Sequence, residues 1–217
     1  CYEAALPRSA KSFGSIGIPT PPAPRGRRVG VMGGSFNPPH EGHRLAAEVA
    51  LQRLGLDEVW WIVTPGNPLK SRGALKPLRD RLDAVRALAR HPRMRVTGFE
   101  EALGSPFTAV TLQFLARRYS GVRFVWIMGA DNLVTFNRWQ DWRCIAATMP
   151  MVIVDRPGYR WKALSSPAAQ ALAPYRVPEA EARHLASRAP PAWAFLSNEL
   201  APHSSTALRQ VTDEKEE

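Results

Sequence analysis

Cysteines and long apolar runs are scarce in this 217-residue sequence. The two cysteines, Cys1 and Cys144, are too few for the disulfide framework of a small secreted protein, so we expect a reducing compartment. No segment approaches the roughly 20 consecutive apolar residues of a transmembrane helix. The N-terminal residues lack the apolar core of a secretion signal. These absences together predict a cytoplasmic protein that is not bound to a membrane.

Acidic residues are also in the minority, with 19 Asp and Glu against 29 Lys and Arg, a formal charge of +10. Such a surplus attracts polyanions, either a nucleic acid along an extended face or the phosphates of a nucleotide in a pocket. The cations are scattered along helical segments such as RDRLDAVRALARHPR, without a run of five or six basic residues. This scatter favours a nucleotide pocket and no stable nucleic-acid partner, although a non-catalytic nucleotide- or RNA-binding module is an alternative.

Short apolar runs alternate with helical periods from Arg28 onward. The runs are almost continuously apolar, which is typical of parallel strands covered by helices on both faces. The sequence therefore predicts a doubly wound, mostly parallel α/β sheet with right-handed crossovers. Strands are predicted at residues 28–34, 58–65, 94–98, 122–130, 149–157 and 192–199, and helices at residues 43–55, 77–90 and 107–119.

The domain organisation follows from composition. Residues 1–27 end in the proline- and arginine-rich PTPPAPRGR and are predicted to be a disordered extension. Residues 28–211 are predicted to form a single domain, and residues 212–217 an acidic tail. Within the domain, the proline- and alanine-rich residues 158–190 are predicted to be an insert or a loosely helical connector.

The turn after the first predicted strand, GGSFNPPHEGHR at residues 33–44, carries the strongest chemical signal. Gly33 and Gly34 can adopt positive φ and let a ligand approach the backbone, while two prolines stiffen the turn. A helix start here favours an anion through its free N–H groups and its dipole. His40 and His43, three residues apart, would lie on one side of the first helical turn and stabilise the growing charge of a polyphosphate.

Other interpretations of this turn fit less well. It matches neither the GxxxxGK[ST] phosphate loop nor the dinucleotide motif GxGxxG. HEGH resembles the zinc motif HExxH only superficially, because its histidines are three rather than four residues apart. An ordinary structural turn with surface histidines would not need glycines, prolines and HxGH together.

Two further stretches lie near predicted strand ends or helix starts. TPGNPLK follows the second strand and ends in Lys70, a compact cation suited to a phosphate or, alternatively, a solvated surface lysine. SPFTAVTL begins a helix with the hydroxyls of Ser105, Thr108 and Thr111, which could hold a carboxylate. The alternative is that Ser105 is an ordinary N-cap.

Two more stretches contain candidate binding residues. GADNLVTFNRWQDW places Asp131 where a carboxylate can accept hydrogen bonds from ribose hydroxyls. Trp139 in the same stretch could stack on a heteroaromatic ring, or could simply be a core tryptophan. HSSTALR, residues 203–209, predicts a phosphate site at a second helix start, with a serine N-cap and a solvated arginine as the alternative.

GGSFNPPHEGHR resembles the signature of the HxGH adenylyltransferases of the nucleotidyltransferase superfamily. SPFTAVTL, GADNLVTFNRW, VDRPGY and HSSTALR resemble segments of the bacterial nicotinate-nucleotide adenylyltransferases. The match runs from about Arg28 to Arg209. The sibling pantetheine-phosphate adenylyltransferases share the HxGH turn, but they are shorter and lack the stretch that contains Asp131 and Trp139.

The resemblance implies transfer of AMP from ATP to nicotinate mononucleotide in NAD biosynthesis, with Mg²⁺ accompanying ATP and no metal ligand from the protein. It implies that the catalytic residues are His40, His43 and Arg209. The implied ATP-binding residues are Gly33, Gly34, Ser35, Phe36, His40, His43, Asp131, Ser204, Ser205, Thr206 and Arg209. The implied nicotinate mononucleotide-binding residues are Lys70, Thr108 and Trp139. We expect a monomer or a small homo-oligomer; an enzyme that uses nicotinamide mononucleotide or phosphopantetheine is an alternative.

Overall fold

The computed structural model describes residues 20–66 and 75–197. Its strands are β1 (Arg28–Gly34), β2 (Glu58–Val63), β3 (Met94–Thr97), β4 (Arg123–Gly129), β5 (Met151–Val154), β6 (Arg176–Val177) and β7 (Trp193–Leu196). They form one seven-stranded sheet in the order β3-β2-β1-β4-β5-β7-β6, and every neighbouring pair is parallel. The predicted doubly wound parallel α/β fold is confirmed.

Helices connect these strands across both faces of the sheet. The α-helices are α1 (Glu41–Arg53), α2 (Leu78–Leu88), α3 (Glu100–Leu103), α4 (Thr108–Arg118), α5 (Ala130–Thr135), α6 (Trp142–Thr148), α7 (Arg160–Leu164) and α8 (Pro167–Ala171). Short 3-10 helices lie at Phe136–Arg138, Ala173–Tyr175 and Glu179–Ser187. The three helices predicted from periodicity are present, with ends that differ by one or two residues. None of the helices in the described ranges is long and apolar enough to cross a membrane.

Each face of the sheet has its own hydrophobic core, which explains the nearly continuous apolar strands. Val31 lies in register between Trp60 on β2 and Trp126 on β4, and all three side chains belong to the core under α4 and α6. The next residues along, Met32 and Trp61, belong to the core under α1 and α2. Successive side chains of a strand point to opposite faces, so a strand that is covered twice needs apolar residues at every position.

The strand order reverses between β1 and β4. α1 follows β1 and buries Ala47 and Leu51 in one core, whereas α5 follows β4 and buries Leu133 in the other. The two helices therefore leave the C-terminal ends of adjacent strands toward opposite faces. Such a topological switch point opens a crevice beyond the strand ends, where ligands bind in open α/β sheets.

Residues 158–190 contain more structure than a loose connector. They include α7, α8, two 3-10 helices and β6, which pairs with β7 at the edge of the sheet. β7 consequently lies between β5 and β6. The strand β6 was not predicted because two residues, Arg176 and Val177, are too short to show any periodicity.

Residues 20–27, part of the predicted extension, contact the domain. The hydroxyl of Tyr119 donates to the carbonyl oxygen of Pro21 at 2.9 Å and is also hydrogen-bonded to the hydroxyl of Thr20. The N–H of Gly26 donates to the carbonyl oxygen of Gly121 at 2.7 Å. Within residues 20–27 the N–H of Arg27 also donates to the carbonyl oxygen of Pro24 at 3.3 Å, so the segment is held by an internal turn as well as by the domain.

We expect Tyr119→Phe to release this segment, because the variant keeps the ring but loses the hydroxyl that contacts Thr20 and Pro21. Trypsin should cut after Arg25 and Arg27 several-fold faster, and the free energy of unfolding should fall by about 1 kcal/mol. Mass spectrometry of the fragments measures the cleavage rates. Tyr175→Phe is the control, since Tyr175 is exposed. Equal cleavage in both variants would show that these hydrogen bonds do not hold the segment.

Candidate active site

Gly33 and Gly34 end β1 in extended conformation, so the expectation that they supply positive φ is wrong. The left-handed residue of the turn is Phe36, with φ of 44°. Position 33 requires glycine for another reason: a Cβ there would lie 2.6 Å from Cη2 of Trp126 on the neighbouring strand. The glycine therefore lets the far edge of the Trp126 indole approach the end of β1 at the switch point.

Phe36 holds the turn against the core. Its side chain is 2% exposed and contacts the ring of Trp61, with centroids 5.4 Å apart. It also meets the ring of His43 edge-on, at a centroid distance of 5.0 Å. Because the ring is buried, only the backbone of Phe36 is available for the predicted contact with ATP, which stays a prediction. Its side chain supports His43 from below.

His40 and His43 lie together at the start of α1. His40 is the N-cap residue, and its backbone N–H donates to Nδ1 of His43 at 3.2 Å. The two rings are tilted by 31° with centroids 3.8 Å apart. Since Nδ1 of His43 accepts a hydrogen bond, the proton of its neutral form is assigned to Nε2. The predicted placement of both rings on one side of the first turn agrees with this geometry.

Asp131, in the first turn of α5, contacts Arg156, which was not among the predicted site residues. Its Oδ1 lies 2.9 Å from Nε of Arg156, in the segment after β5. The same guanidinium reaches α1, because a Cβ at Gly42 would lie 2.9 Å from Arg156 Nη1. Asp131 Oδ1 and Arg156 Nε are nevertheless buried without a hydrogen-bond partner among the described residues, so the contact is an ion pair of poor hydrogen-bond geometry. Arg156 is in VDRPGY, just after β5. Its position beyond the end of a parallel strand could have indicated a site residue from the sequence alone.

A cavity of about 390 Å³ adjoins the turn at the C-terminal ends of β1, β2 and β4. Five of the predicted binding residues line it, although they come from three separate stretches: Gly33, Gly34, Ser35, Thr108 and Trp139. Trp139 also packs edge-on against the ring of Phe136, with centroids 5.5 Å apart. The binding and core interpretations of this tryptophan are thus compatible, since one part of the ring packs inward and another faces the cavity.

The three hydroxyls of SPFTAVTL have different environments. α4 begins at Thr108 rather than at Ser105, so Ser105 is not its N-cap; the Ser105 hydroxyl accepts from the N–H of Phe107 at 3.4 Å. Thr111 is buried and donates to Oε1 of Glu100 at 2.5 Å. Only Thr108 of the three lines the cavity.

Glu100 is a buried carboxyl group in the wall of this cavity. It lies on α3 and is 5% exposed. Burial raises the pKa of Glu100 above its ordinary value of 4.5, while hydrogen bonds from Thr111 and Thr64 oppose the rise. Nothing in the sequence singled it out, because an acidic residue in a short helix is usually solvated.

The remaining predicted site residues lie outside the described ranges. They are Lys70, Ser204, Ser205, Thr206 and Arg209. Their assignments stay predictions from the sequence.

The crevice, the histidine pair and the adjoining cavity define a nucleotide-binding α/β protein of the doubly wound class. The model of the cytidylyltransferase-like family matches residues 31–211. A "Probable nicotinate-nucleotide adenylyltransferase" of Rhizobium meliloti (strain 1021) is 57% identical over 183 residues, 84% of this chain and 97% of that protein. A protein of the same name from Bradyrhizobium sp. (strain BTAi1) is 54% identical over 182 residues, 84% of this chain and 95% of that protein. The chain belongs to the cytidylyltransferase-like family and, within it, to the nicotinate-nucleotide adenylyltransferases.

Solved structures show the same fold at low sequence identity. The nicotinic acid mononucleotide adenylyltransferase of Plasmodium falciparum, complexed with NaAD, has a TM-score of 0.59 and 13% identity. The match covers 85% of this chain and 83% of that one. The complex of the same enzyme with APC gives a TM-score of 0.58 and 12% identity, with the same coverage.

We expect Glu100→Gln to change how stability depends on pH. Because the folded pKa is raised above 4.5, the stabilising contribution of Glu100 is present below pH 4.5 and is lost as the pH rises through the raised pKa. Glutamine keeps an oxygen for Thr111 but cannot ionise. The free energy of unfolding of the wild type should therefore fall relative to the variant, by up to about 1.4 kcal/mol per pH unit within that window.

Urea unfolding at a series of pH values measures this difference. Glu101→Gln is the matched control, since Glu101 is the exposed neighbour on the same helix. Parallel stability curves for the wild type and Glu100→Gln would show that the buried carboxyl group has an ordinary pKa.

Proposed function

We propose that this protein transfers AMP from ATP to nicotinate mononucleotide, forming deamido-NAD and pyrophosphate. The observation that carries the proposal is the position of the β1–α1 turn. On one side the turn presents the rings of His40 and His43, and on the other Gly33 and Ser35 line the 390 Å³ cavity. Two nucleotides bound on either side of this turn would meet at it. The names of the relatives at 57% and 54% identity support the same reaction.

ATP is proposed to lie over the start of α1. The helix N-terminus, the two imidazoles and Arg156 provide donors and positive charge for a polyphosphate. Asp131 would accept hydrogen bonds from the ribose hydroxyls. Asp131 Oδ1 and Arg156 Nε are buried polar atoms without hydrogen-bond partners among the described residues, and a bound nucleotide would supply such partners.

Nicotinate mononucleotide is proposed to occupy the cavity. Its volume of about 390 Å³ is in the range of small-molecule sites. The pyridine ring would stack on Trp139, and its carboxylate would lie at Thr108, where α4 begins. Arg138 also lines the cavity and forms no ion pair with any described carboxylate, so an anionic ring substituent would be favoured over a neutral amide.

The chemistry needs positioning and charge stabilisation rather than a general base. An oxygen of the nucleotide's phosphate attacks the α-phosphorus of ATP, and the bond from that phosphorus to the oxygen of pyrophosphate breaks. The attacking phosphate monoester is mostly ionised at neutral pH, because its second pKa is about 6. His43, with Nε2–H as the donor, would stabilise the charge on the triphosphate oxygens as they separate.

Mg²⁺ is proposed to accompany the triphosphate, bound by phosphate oxygens and water. In residues 20–66 and 75–197, no group of three or more His, Cys, Asp or Glu side chains could hold a metal ion. The protein's own residues would bind the substrates and stabilise charge.

The proposal is tested by comparing acceptors in the presence of ATP and Mg²⁺. Pyrophosphate release should be fastest with nicotinate mononucleotide, and its kcat/KM should exceed that of nicotinamide mononucleotide on the order of tenfold or more. Phosphopantetheine should be inactive. Higher turnover with either other acceptor would identify a sibling enzyme. RNA binding that weakens steeply with salt, without pyrophosphate release, would identify a binding module.

We expect His43→Ala to lower turnover by about two to three orders of magnitude, the scale of losing one preorganised donor. Stability should fall by no more than about 1 kcal/mol, because His43 is half-buried and the variant loses the hydrogen bond from the His40 N–H and the edge contact with the Phe36 ring. Steady-state kinetics and thermal unfolding measure the two effects. His184→Ala, at an exposed histidine in the Glu179–Ser187 helix, is the control. Turnover of His43→Ala equal to that of the control would remove His43 from the mechanism.

A further inference from the structure

Arg81 is a buried arginine on α2, at the back of the site. It is 2% exposed and forms no ion pair with a carboxylate in the described ranges. Its hydrogen-bond partners are all backbone carbonyl oxygens. Nη1 donates to Ser35 at 2.8 Å and to Thr64 at 2.7 Å, Nε donates to Lys76 at 2.9 Å, and Nη2 donates to Pro65 at 3.3 Å.

Burying a guanidinium without a counter-ion has a large desolvation cost. Burial lowers the pKa of Arg81, although an arginine stays protonated in a protein. An apolar side chain of similar volume would avoid the desolvation penalty if packing were the only requirement. Packing alone therefore does not explain Arg81, whereas the four carbonyl groups that its guanidinium binds can.

These carbonyl groups come from different parts of the candidate active site. Ser35 lies in the turn after β1, which leads to His40 and His43. Thr64 and Pro65 lie in the loop after β2. Ser35 and Thr64 both line the cavity. One nitrogen, Nη1, thus bridges the two loops directly, with contacts of 2.8 and 2.7 Å.

A second contact joins the start of α2 to the same turn. The N–H of Lys76 donates to the side-chain oxygen of Asn37 at 3.3 Å, while the carbonyl oxygen of Lys76 accepts from Arg81. The turn after β1 is therefore tied to α2 through two neighbouring points. Asn37 and Ser35 flank Phe36, the residue in left-handed conformation.

We propose that Arg81 is a positioning residue for the reaction, whose guanidinium fixes the ATP-binding turn after β1 against the loop after β2 that walls the acceptor cavity. This inference rests on the proposed function, because it assigns the two substrates to the two sides of the turn. In-line transfer requires the attacking oxygen and the phosphorus to be held in register. A misplacement of about 1 Å can cost 100-fold in rate even when each substrate still binds.

Arg81→Lys is the informative variant. It keeps the positive charge, but a single ammonium cannot reproduce the planar fork that reaches four carbonyl groups. We expect kcat to fall about 100-fold while the Kd of ATP, measured alone, stays within about threefold of the wild type. Calorimetry counts the ATP-binding sites, so that turnover is expressed per folded molecule. A purely structural role would lower the number of binding sites and leave the turnover of each unchanged.

Arg86→Lys is the matched control. Arg86 lies on the same helix, is exposed and pairs with Asp83 at 2.8 Å. Its substitution should leave kcat and Kd unchanged. Equal turnover per site in Arg81→Lys and Arg86→Lys would overturn the proposal. The proposed function and the role of Arg81 are tested separately. Failure of the wild type to form deamido-NAD rejects the proposed function, whereas the ratio of the variant's kcat to that of the wild type tests the role of Arg81.

A measurement on the wild type covers the case in which Arg81→Lys does not fold. If Arg81 couples the two loops, ATP alone should slow amide hydrogen exchange at Gly66, beyond the pairing of β1 with β2, as well as at residues 35–37. Gly66 would respond although no proposed ATP contact lies in the loop after β2. Slowing confined to residues 35–37 would show that the loops move independently and would overturn the proposal.

Discussion

The parallel pairing of β1 with β4 is the constraint on which the site depends. Val31 and Trp126 lie in register, and α1 and α5 then leave the ends of the two strands toward opposite faces. The start of α1 is consequently left at the mouth of a crevice, with its N–H groups and the rings of His40 and His43 beside open space. Gly33 makes this close pairing compatible with a large aromatic residue, because Trp126 occupies the volume that a Cβ would need.

Much of this arrangement was predictable from local sequence. The continuous apolar strands indicated a sheet covered on both faces, and the spacing of His40 and His43 indicated neighbouring rings. Prediction failed where the cause is a contact between distant residues. The need for glycine at position 33 comes from Trp126 on another strand, not from backbone conformation. Arg81 and Glu100 are polar residues in ordinary helical segments, and only the folded chain shows them to be buried.

The electrostatics of the site depend on how the negative charge of its carboxyl groups is reduced. Two anionic substrates meeting in one crevice would be repelled by uncompensated carboxylates. Asp131 is paired with Arg156 at 2.9 Å, and burial favours the neutral form of Glu100 by raising its pKa. An ion pair at Asp131 and a raised pKa at Glu100 therefore both reduce negative charge. Arg81 and Arg138, by contrast, form no ion pair with any described carboxylate. The described charged groups of the site therefore leave arginines rather than carboxylates unpaired, which the overall charge of +10 does not imply by itself.

Arginines and carboxylates are paired at both ends of the sheet, with an exception beside the start of α1. At the N-terminal ends of the strands, arginines and carboxylates are paired: Arg28 lies 3.6 Å from Asp57, and Arg95 lies 3.6 Å from Glu58. At the C-terminal ends, Arg160 pairs with Asp155 directly after β5 at 2.6 Å, whereas the pair between Arg156 and Asp131 has poor hydrogen-bond geometry. The difference is therefore confined to Asp131 and Arg156, beside the start of α1. Incomplete pairing costs stability, and these two residues lie where a bound nucleotide would complete their interactions.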